Sequence, residues 1–311
     1  MKNYCFGIDV GGTTVKCGFF KTDGTLLDKW EIVTNISCGG ERILPDVAEA
    51  VLAKLEEKGV SKDDVAGIGI GVPGPVKEDG TLEGAVNLHW GYHDIVNEMG
   101  ELTGLPTKAG NDANVAALGE MWKGGGSGHP NVMMVTLGTG VGGGMIVNGK
   151  IITGAHGAAG EIGHAHVEDN ITDPCNCGNR GCLEQVASAT GIVRLAKEEL
   201  EKNDQPTILS LQDLSAKTVF DAYKEQDAVA EKIVNRFAGY LGTALAVFSA
   251  VVDPDVIVIG GGVSKAGEVL VDCVGKYFRQ NAFSACKNVP IVLAKLGNDA
   301  GIYGAAKMVL D

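Results

Sequence analysis

Residues that could bind a metal ion are concentrated between positions 154 and 184. Three thiols lie there with the spacing Cys175-x-Cys177-x-x-x-x-Cys182. Thiolates together with a neutral imidazole are the ligand set that tetrahedral zinc prefers in structural sites. The spacing therefore predicts a zinc site with three cysteines and one histidine. The alternatives are a disulfide with a spare thiol, or three cysteines that merely lie in a glycine-rich loop. Zinc is favoured over them because an odd cluster cannot pair internally.

The sequence leaves the identity of the histidine open. His164 and His166 would lie on one face of an extended segment, and His156 is near enough to compete with them. The other cysteines are scattered along the chain and are predicted to be small apolar side chains; they are Cys5, Cys17, Cys38, Cys273 and Cys286.

Length and composition indicate an ordinary globular protein of 311 residues, with about two domains. The formal charge of -13 argues against a nucleic-acid partner, because a phosphate backbone requires a basic surface. The longest apolar run, residues 240–252, is shorter than the roughly 18 residues of a membrane span. The N-terminal segment has no signal-peptide pattern. We expect a cytoplasmic protein with reduced thiols and a small-molecule partner.

Two glycine-rich turns have similar surroundings. Strands are predicted at residues 4–10 and 15–20 around Gly11-Gly12-Thr13-Thr14, and at 131–137 and 144–147 around the run from Gly138 to Gly143. An Asp-Gly or Asn-Gly turn then connects each pair of strands to a third predicted strand, at 25–33 and at 150–153. The two meanders begin about 128 residues apart, which predicts an internal duplication and two α/β domains that face each other across a cleft.

Gly138-x-Gly140-x-x-Gly143 matches the dinucleotide-binding fingerprint, but that motif requires a helix at its third glycine and a strand is predicted instead. This argues against a nicotinamide-dependent oxidoreductase. Bare backbone amides of two such turns could instead hold a triphosphate, with hydroxyls from Thr13, Thr14 and Thr139. Either turn alone is also compatible with an ordinary tight turn. Asp9, directly before the first turn, could hold Mg²⁺ or merely cap the turn.

A second carboxylate of interest lies in Asn111-Asp112, which opens a predicted helix at 113–122. A helix N-cap explains these residues without any chemistry. The tetrapeptide Gly-Asn-Asp-Ala recurs at residues 297–300, again before a helix. Composition alone does not say which copy takes part in catalysis and which only caps a helix. The remaining elements are predicted as helices at 41–58, 184–200, 227–250 and 300–309, and as strands at 65–72, 255–259 and 291–296.

Taken together, these motifs resemble those of the ROK family of sugar kinases, most closely its bacterial glucokinases. The resemblance covers the whole chain. The matching segments are Asp9-Val-Gly-Gly-Thr-Thr14, Asn111-Asp-Ala-Asn114, Leu137-Gly-Thr-Gly-Val-Gly-Gly-Gly144, Gly160-Glu-Ile-Gly-His164, Cys175-x-Cys177-Gly-x-x-Gly-Cys182-x-Glu184 and Gly260-Gly-Gly-Val-Ser264. The resemblance implies the actin-like (ribonuclease H-like) duplicated α/β fold that the repeated meander also indicates. The implied boundaries are 1–110 plus 298–311 for the small domain and 111–297 for the large one.

The resemblance also implies a role for each matched residue. Asp112 would be the catalytic base, and His164 would be the fourth zinc ligand. Sugar hydroxyls would be bound by Asn111, Asp112, Glu161, His164 and Glu184. ATP and Mg²⁺ would contact Asp9, Gly11, Gly12, Thr13, Thr14, Gly138, Thr139, Gly140, Gly261 and Gly262. Many relatives carry Lys at the position of Thr14, which leaves open whether Lys16 contacts phosphate.

The predicted reaction is the ATP-dependent phosphorylation of glucose to glucose 6-phosphate. Mannose, fructose, allose or an N-acetylhexosamine remain alternative acceptors, and polyphosphate remains an alternative donor. A non-catalytic sugar sensor of the same fold is a further alternative. The repressors that resemble this chain carry a helix-turn-helix ahead of the first strand, whereas here the first strand already begins at Tyr4. Relatives of this kind are commonly homodimers, and we expect the same here.

Overall fold

The computed structural model describes residues 2–202 and 205–310. The first half of the chain contains β1 (Tyr4–Val10), β2 (Thr14–Lys21), β3 (Leu26–Val33), α1 (Ile43–Lys58), β4 (Val65–Val72), β5 (Thr81–Leu82), β6 (His93–Asp94), α2 (Ile95–Thr103), β7 (Thr107–Asn111) and α3 (Asp112–Lys123). The second half contains β8 (Val132–Leu137), β9 (Val141–Val147), β10 (Lys150–Ile151), α4 (Glu184–Ala187), α5 (Ala189–Lys202), α6 (Ala216–Lys224), α7 (Ala228–Val252), β11 (Val256–Gly260), α8 (Glu268–Asn281), β12 (Ile291–Leu293) and α9 (Ala300–Met308).

The two larger sheets have the same strand order, which supports the predicted duplication. The first sheet has the order β3-β2-β1-β4-β7, and the second has the order β10-β9-β8-β11-β12. In each sheet the first two strands along the chain are joined by a glycine-rich turn, and the fourth strand pairs in parallel with the first. β1 and β4 are nearly continuous apolar segments, as expected for strands that are buried on both faces in the middle of a sheet.

The chain forms two compact units that are each assembled from separate segments. The first unit comprises Met1–Pro130, Gly144–Gly160 and Lys295–Asp311, and the second comprises Asn131–Gly143 and Glu161–Ala294. These bounds differ from the predicted boundaries, because α3 lies in the first unit rather than in the second. The physical reason is its packing against α9: an added Cβ at Gly304 would lie 1.7 Å from the Val115 carbonyl oxygen of α3.

The C-terminal helix α9 also packs closely on the first sheet. An added Cβ at Gly7 would lie 1.9 Å from the Ile302 carbonyl oxygen, and one at Gly69 would lie 1.7 Å from that of Ala305. Any larger side chain at either position would have to displace helix backbone. Glycines in β1 and β4 therefore allow a helix to approach the sheet at a distance that side chains would prevent.

The second unit is built around α7. Its apolar face is buried along most of its length, including Phe237 and Leu241, which have no exposed surface. By length and composition α7 is the one described helix that could cross a membrane, and 56% of its most apolar window is buried inside the molecule, as in a core helix. Its N-terminus is capped by Asp227, whose carboxylate accepts the amides of Val229 and Ala230.

Two local predictions around the second glycine turn differ from the structure. The helix predicted at residues 184–200 is interrupted at Ser188, which adopts an extended conformation and starts α5 by accepting the Gly191 amide at 2.9 Å. The second glycine turn is shorter than predicted, because β9 already begins at Val141. Glycines 142–144 are therefore strand residues, and only Gly138 to Gly140 form the bend.

Candidate active site

The first glycine turn follows β1 and is held by Thr34. The Gly11 amide donates to the Thr14 carbonyl oxygen at 3.0 Å, and the Thr34 hydroxyl donates to the Gly11 carbonyl oxygen at 2.6 Å. Asp9, the last residue but one of β1, is in register with Lys16 of β2. An added Cβ at Gly301, in the first turn of α9, would lie 2.6 Å from the Asp9 carboxyl carbon. The first turn, its carboxylate and the start of α9 thus meet within the first unit.

Lys16 contacts both Asp9 and the segment that leads into α9. Its ammonium lies 3.7 Å from Asp9 Oδ2 and donates to the Asn298 carbonyl oxygen at 3.2 Å. Burial raises the pKa of Asp9 above its ordinary value, while the charge of Lys16 and its hydrogen bond act in the opposite direction. Lys16 is therefore directed at the carboxylate beside the turn.

The two copies of the Gly-Asn-Asp-Ala tetrapeptide have different surroundings. In the first copy Asn111 is the N-cap: its side-chain oxygen accepts the amides of residues 113 and 114, and its amide group donates to the Gly74 carbonyl oxygen at 3.0 Å. Capping thus falls on Asn111, and Asp112 is the first helical residue. In the second copy both carboxylate oxygens of Asp299 accept Lys29 Nζ, at 3.0 and 2.8 Å. The carboxylate of Asp299 therefore forms an ion pair with Lys29, whereas that of Asp112 lies at the start of α3.

The second glycine turn opens onto a cavity of about 380 Å³ within the second unit. Ser188 and α5 hold this turn, because the Ala189 amide donates to the Gly138 carbonyl oxygen at 2.8 Å. The cavity is lined by Thr136, Gly138, Gly140, Val141, Gly142, Glu161, His164, Glu184 and Gly261. It therefore brings together three predicted sugar-binding side chains, two glycines of the turn and one glycine that follows β11.

Two glycines on this cavity wall have close neighbours. An added Cβ at Gly140 would lie 2.5 Å from Glu184 Oε2, so that the carboxylate lies directly against the turn. Gly261 has a φ of 83°, and an added Cβ there would lie 2.5 Å from the Leu137 carbonyl oxygen. The loop after β11 can therefore contact the end of β8 only with glycine at this position.

The imidazole of His164 lies between the thiols and the carboxylates. Its Nδ1 is 3.7 Å from Cys175 Sγ, and its Nε2 is 3.9 Å from Glu161 Oε2. The Cys175 thiol donates to Glu184 Oε1 at 2.9 Å. One ring nitrogen is thus directed at the cysteine cluster, and the other is directed at the Glu161 carboxylate on the cavity wall.

The cysteine cluster has the geometry of a four-ligand metal site. The ligand atoms of His164, Cys175, Cys177 and Cys182 all lie within 4.8 Å of one another. The sulfurs of Cys177 and Cys182 are 3.7 Å apart. A tetrahedral ion with Zn–S bonds of about 2.3 Å would separate its ligands by roughly 3.5–3.8 Å. The residues present therefore fit a zinc ion.

The other candidate histidines are not part of this cluster. Both ring nitrogens of His166 are engaged elsewhere, Nδ1 with the Arg180 carbonyl oxygen at 2.9 Å and Nε2 with Asp169 at 2.7 Å. The hydrogen bond to Asp169 raises the pKa of His166. Among the described residues, the metal-binding group contains neither His166 nor His156.

Burial is the main influence on two of the three thiols. It raises the pKa of Cys175 and of Cys182, whereas hydrogen bonding from the Asn179 backbone lowers the pKa of the more exposed Cys177. A metal ion would have to displace the protons of the two buried thiols in order to bind.

Two features of the site were not predicted from the sequence. Asn87 lies beside the first turn, where an added Cβ at Gly12 would be 3.4 Å from its carbonyl oxygen. A second cavity of about 170 Å³ lies between α6 and residues 262–266, with Gly262 and Phe220 in its wall. No local motif marks Asn87. α6 was not predicted, although Ser215 as its N-cap and the buried Val219 and Phe220 are a usable signal for a helix.

Comparison with known proteins identifies relatives over the full length. A family model described as the ROK family matches residues 5–311. The glucokinase of Halalkalibacterium halodurans is 45% identical, in an alignment covering 97% of this chain and 94% of that protein. The glucokinase of Thermotoga maritima is 36% identical, with 98% of this chain and 96% of that protein covered.

Solved structures give the same result. A ROK family glucokinase from Streptomyces griseus in complex with glucose and AMPPNP has a TM-score of 0.73 at 31% identity, covering 98% of each chain. A ROK hexokinase from Thermus thermophilus has a TM-score of 0.80 at 32% identity, covering 97% of this chain and 96% of that one. The duplicated sheets and these similarities define an actin-like α/β protein of the sugar-kinase class, and the predicted fold class is confirmed. The chain belongs to the ROK family.

Proposed function

We propose that this protein is a glucokinase that transfers the γ-phosphoryl group of ATP to the 6-hydroxyl of glucose. The observation that carries the proposal is the 380 Å³ cavity, in which a glycine turn meets Glu161, His164 and Glu184. Glucokinases with 36–45% identity over nearly the whole chain support the same reaction. Mannose, allose and the N-acetylhexosamines each differ from glucose at one hydroxyl or by one acetamide group, so the choice of acceptor is tested directly.

Hydroxyls of the sugar would be bound by carboxylates, an amide and an imidazole, which suit a ligand rich in donors and acceptors. Glu161, His164 and Glu184 would bind these hydroxyls, as would Asn111 and Asp112. Asp112 accepts the proton of the attacking hydroxyl as the oxygen reaches the γ-phosphorus. Its place at the start of α3, with Asn111 serving as the N-cap, supports this role.

The donor would be bound by main-chain amides and by one carboxylate. Amides of the turns at Gly11 to Thr14 and at Gly138 to Gly140 stabilise the phosphoryl oxygens. Mg²⁺, held near Asp9, would neutralise charge on the phosphates when bound. The nucleoside would lie beside Gly261 and Gly262, and the 170 Å³ cavity next to Gly262 supports this position because it is large enough for a flat base.

The proposed resident metal is zinc, held by His164, Cys175, Cys177 and Cys182. When bound it would fix the orientation of the imidazole, so that Nε2 stays directed at the sugar. The ion is given no part in the phosphoryl transfer itself.

We also propose a cytoplasmic homodimer. All eight cysteines are free in the structure, as expected for a reducing compartment. The dimer surface would be the outer face of α7, where Val247 and Val251 are 58% and 81% exposed one helical turn apart. A groove of about 690 Å³ runs along the same helix beside Tyr240 and Phe248. A second copy of the chain would cover this apolar surface.

A phosphorylation assay over a panel of hexoses, with ATP and with polyphosphate as donors, tests the proposed function. We expect glucose with MgATP to give the highest kcat/KM. Preference for N-acetylglucosamine or mannose would change the assigned acceptor, and preference for polyphosphate would change the assigned donor. Absence of phosphorylation of every sugar, despite measurable glucose binding, would leave the sensor alternative standing instead.

A further inference from the structure

Glu120, which has no role in the function described so far, is a completely buried carboxylate in the C-terminal half of α3. Its Oε2 accepts the Gly125 amide at 2.7 Å and the Lys295 amide at 3.0 Å, and its Oε1 accepts the Leu296 amide at 2.8 Å. Its three described side-chain partners are therefore all backbone N–H groups. They come from two segments that are about 170 residues apart.

This arrangement requires a carboxylate. An ionised carboxylate has only acceptor positions, and both of its oxygens can take two N–H donors. A glutamine amide would turn its NH₂ group towards backbone N–H groups and leave at least one of them unpaired. Burying a charge is costly unless it is fully hydrogen-bonded. A buried carboxylate at this position therefore indicates that holding these two segments together is important.

The segments that Glu120 holds lead to the proposed donor site. Lys295 and Leu296 come directly before the second Gly-Asn-Asp-Ala copy, where the Asn298 carbonyl oxygen accepts Lys16. Lys16 in turn contacts Asp9, and Gly301 lies against the same carboxylate. Within the first unit, one continuous series of contacts therefore runs from α3 through residues 295–301 to the first phosphate turn.

We propose that Glu120 is a positioning residue for the donor side of the reaction. It fixes residues 295–299 to the helix that carries Asp112, and thereby keeps Lys16 and Asp9 aligned with the base. Gly124 belongs to the same arrangement, since an added Cβ there would lie 1.9 Å from Glu120 Oε2. The proposal rests on the proposed kinase activity, which the wild-type assay establishes first and independently.

The test compares Glu120→Gln with the matched control Asp227→Asn. Asp227 also accepts three backbone amides, from Val229, Ala230 and Ile208, but it lies at the start of α7 and has no part in the site. We expect Glu120→Gln to lower kcat/KM for MgATP by about 10- to 100-fold, because small misplacements of catalytic groups have effects of this size. Glucose affinity without nucleotide should change by less than about twofold. Asp227→Asn should keep both values near those of the wild type.

A solely structural role would give a different result. It would lower kcat/KM for MgATP and the fraction of protein able to bind glucose in the same proportion, and restoring the folded fraction would restore both. That outcome, or an unchanged kcat/KM for MgATP in folded Glu120→Gln, overturns the proposal. If Glu120→Gln does not fold, Glu120→Asp is assayed by the same criteria, because it keeps the charge and is too short to reach both segments.

Discussion

Nδ1 of His164 lies 3.7 Å from Cys175 Sγ, while Nε2 of the same ring lies 3.9 Å from Glu161 Oε2. One imidazole thus contacts both the proposed metal site and the proposed sugar site. A substitution that keeps a metal ligand but removes the second nitrogen should separate the two roles.

His164→Cys should therefore retain zinc through four thiolates and lose affinity for glucose. We expect a zinc stoichiometry of about one per chain and a glucose affinity about 3- to 10-fold weaker, as expected for one lost hydrogen bond. Metal analysis and calorimetric glucose titration give the two values. His166→Cys is the control, because both nitrogens of His166 are bound outside the cluster. If His164→Cys binds glucose as the wild type does, Nε2 does not contact the sugar.

The two aspartates of the repeated tetrapeptide should differ sharply in their effect on the reaction. Asp112→Asn should lower kcat by about 100- to 10,000-fold through loss of the general base, and should weaken glucose affinity by no more than about 10-fold, because the amide can still hydrogen-bond the sugar. Asp299→Asn should keep kcat within several-fold, because that carboxylate forms an ion pair with Lys29. Steady-state kinetics of both variants make the comparison. Near-normal kcat in Asp112→Asn together with an inactive Asp299→Asn would show that the second copy is the catalytic one.

Zinc affinity should rise with pH. Burial raises the pKa of Cys175 and Cys182, so both thiols hold their protons at neutral pH and release them only when the ion binds. Lowering the pH therefore strengthens the competition from protons and weakens metal binding. Competition with a chromophoric chelator, from about pH 6 to about pH 8, measures the trend. An affinity that is constant over this range would indicate that the thiols are not the ligands.

Lys16 should govern the acid limb of the pH profile for MgATP. Burial raises the pKa of Asp9 and Lys16 opposes this effect, so Lys16→Met should raise the Asp9 pKa further. Since the ionised carboxylate is the proposed active form, kcat/KM for MgATP should begin to fall at a higher pH than in the wild type. Lys29→Met, which removes an ion pair to Asp299 only, is the control. Coincident acid limbs for Lys16→Met and the wild type would exclude this role of Lys16.

A charge on the outer face of α7 should dissociate the proposed dimer. Val251 is 81% exposed in the single chain, so Val251→Asp has little effect on the folded subunit but places a charge in the apolar contact. Light scattering after size-exclusion chromatography should give a dimer for the wild type and a monomer for Val251→Asp. Leu211→Asp, at an exposed site in a loop, should remain dimeric. A dimeric Val251→Asp protein would move the interface elsewhere.

The sequence predicted the duplicated meander because its signals are local. Alternating or continuous apolar residues and Asp-Gly or Asn-Gly turns fix β1 to β4 and β8 to β10 within a few residues. By contrast, β7 was missed, because Thr107–Asn111 is polar and is a strand only through parallel pairing with β4. The break at Ser188 was missed although serine is a typical N-cap residue and therefore a usable signal for a new helix.

For the candidate site, motifs predicted which residues would be grouped, whereas long-range contacts decided how they are used. The spacing of the cysteines predicted the metal cluster, and the structure places His164 rather than His166 with them. The engagement of Asp299 by Lys29, the place of Asn87 beside Gly12 and the buried Glu120 all depend on residues far apart in sequence. No local pattern carries that information, because each pairing is created by the tertiary structure.

The dependence of the first sheet on α9 has a consequence for synthesis on the ribosome. The helix that covers Gly7 and Gly69 begins only at Ala300, far downstream of β1 and β4, so these strands must wait for its synthesis before that side is covered. Until then the nascent protein presents a bare apolar surface, which is suited to chaperone binding. Loss of α9 alone, a helix of nine residues, would leave β1 and β4 without this cover.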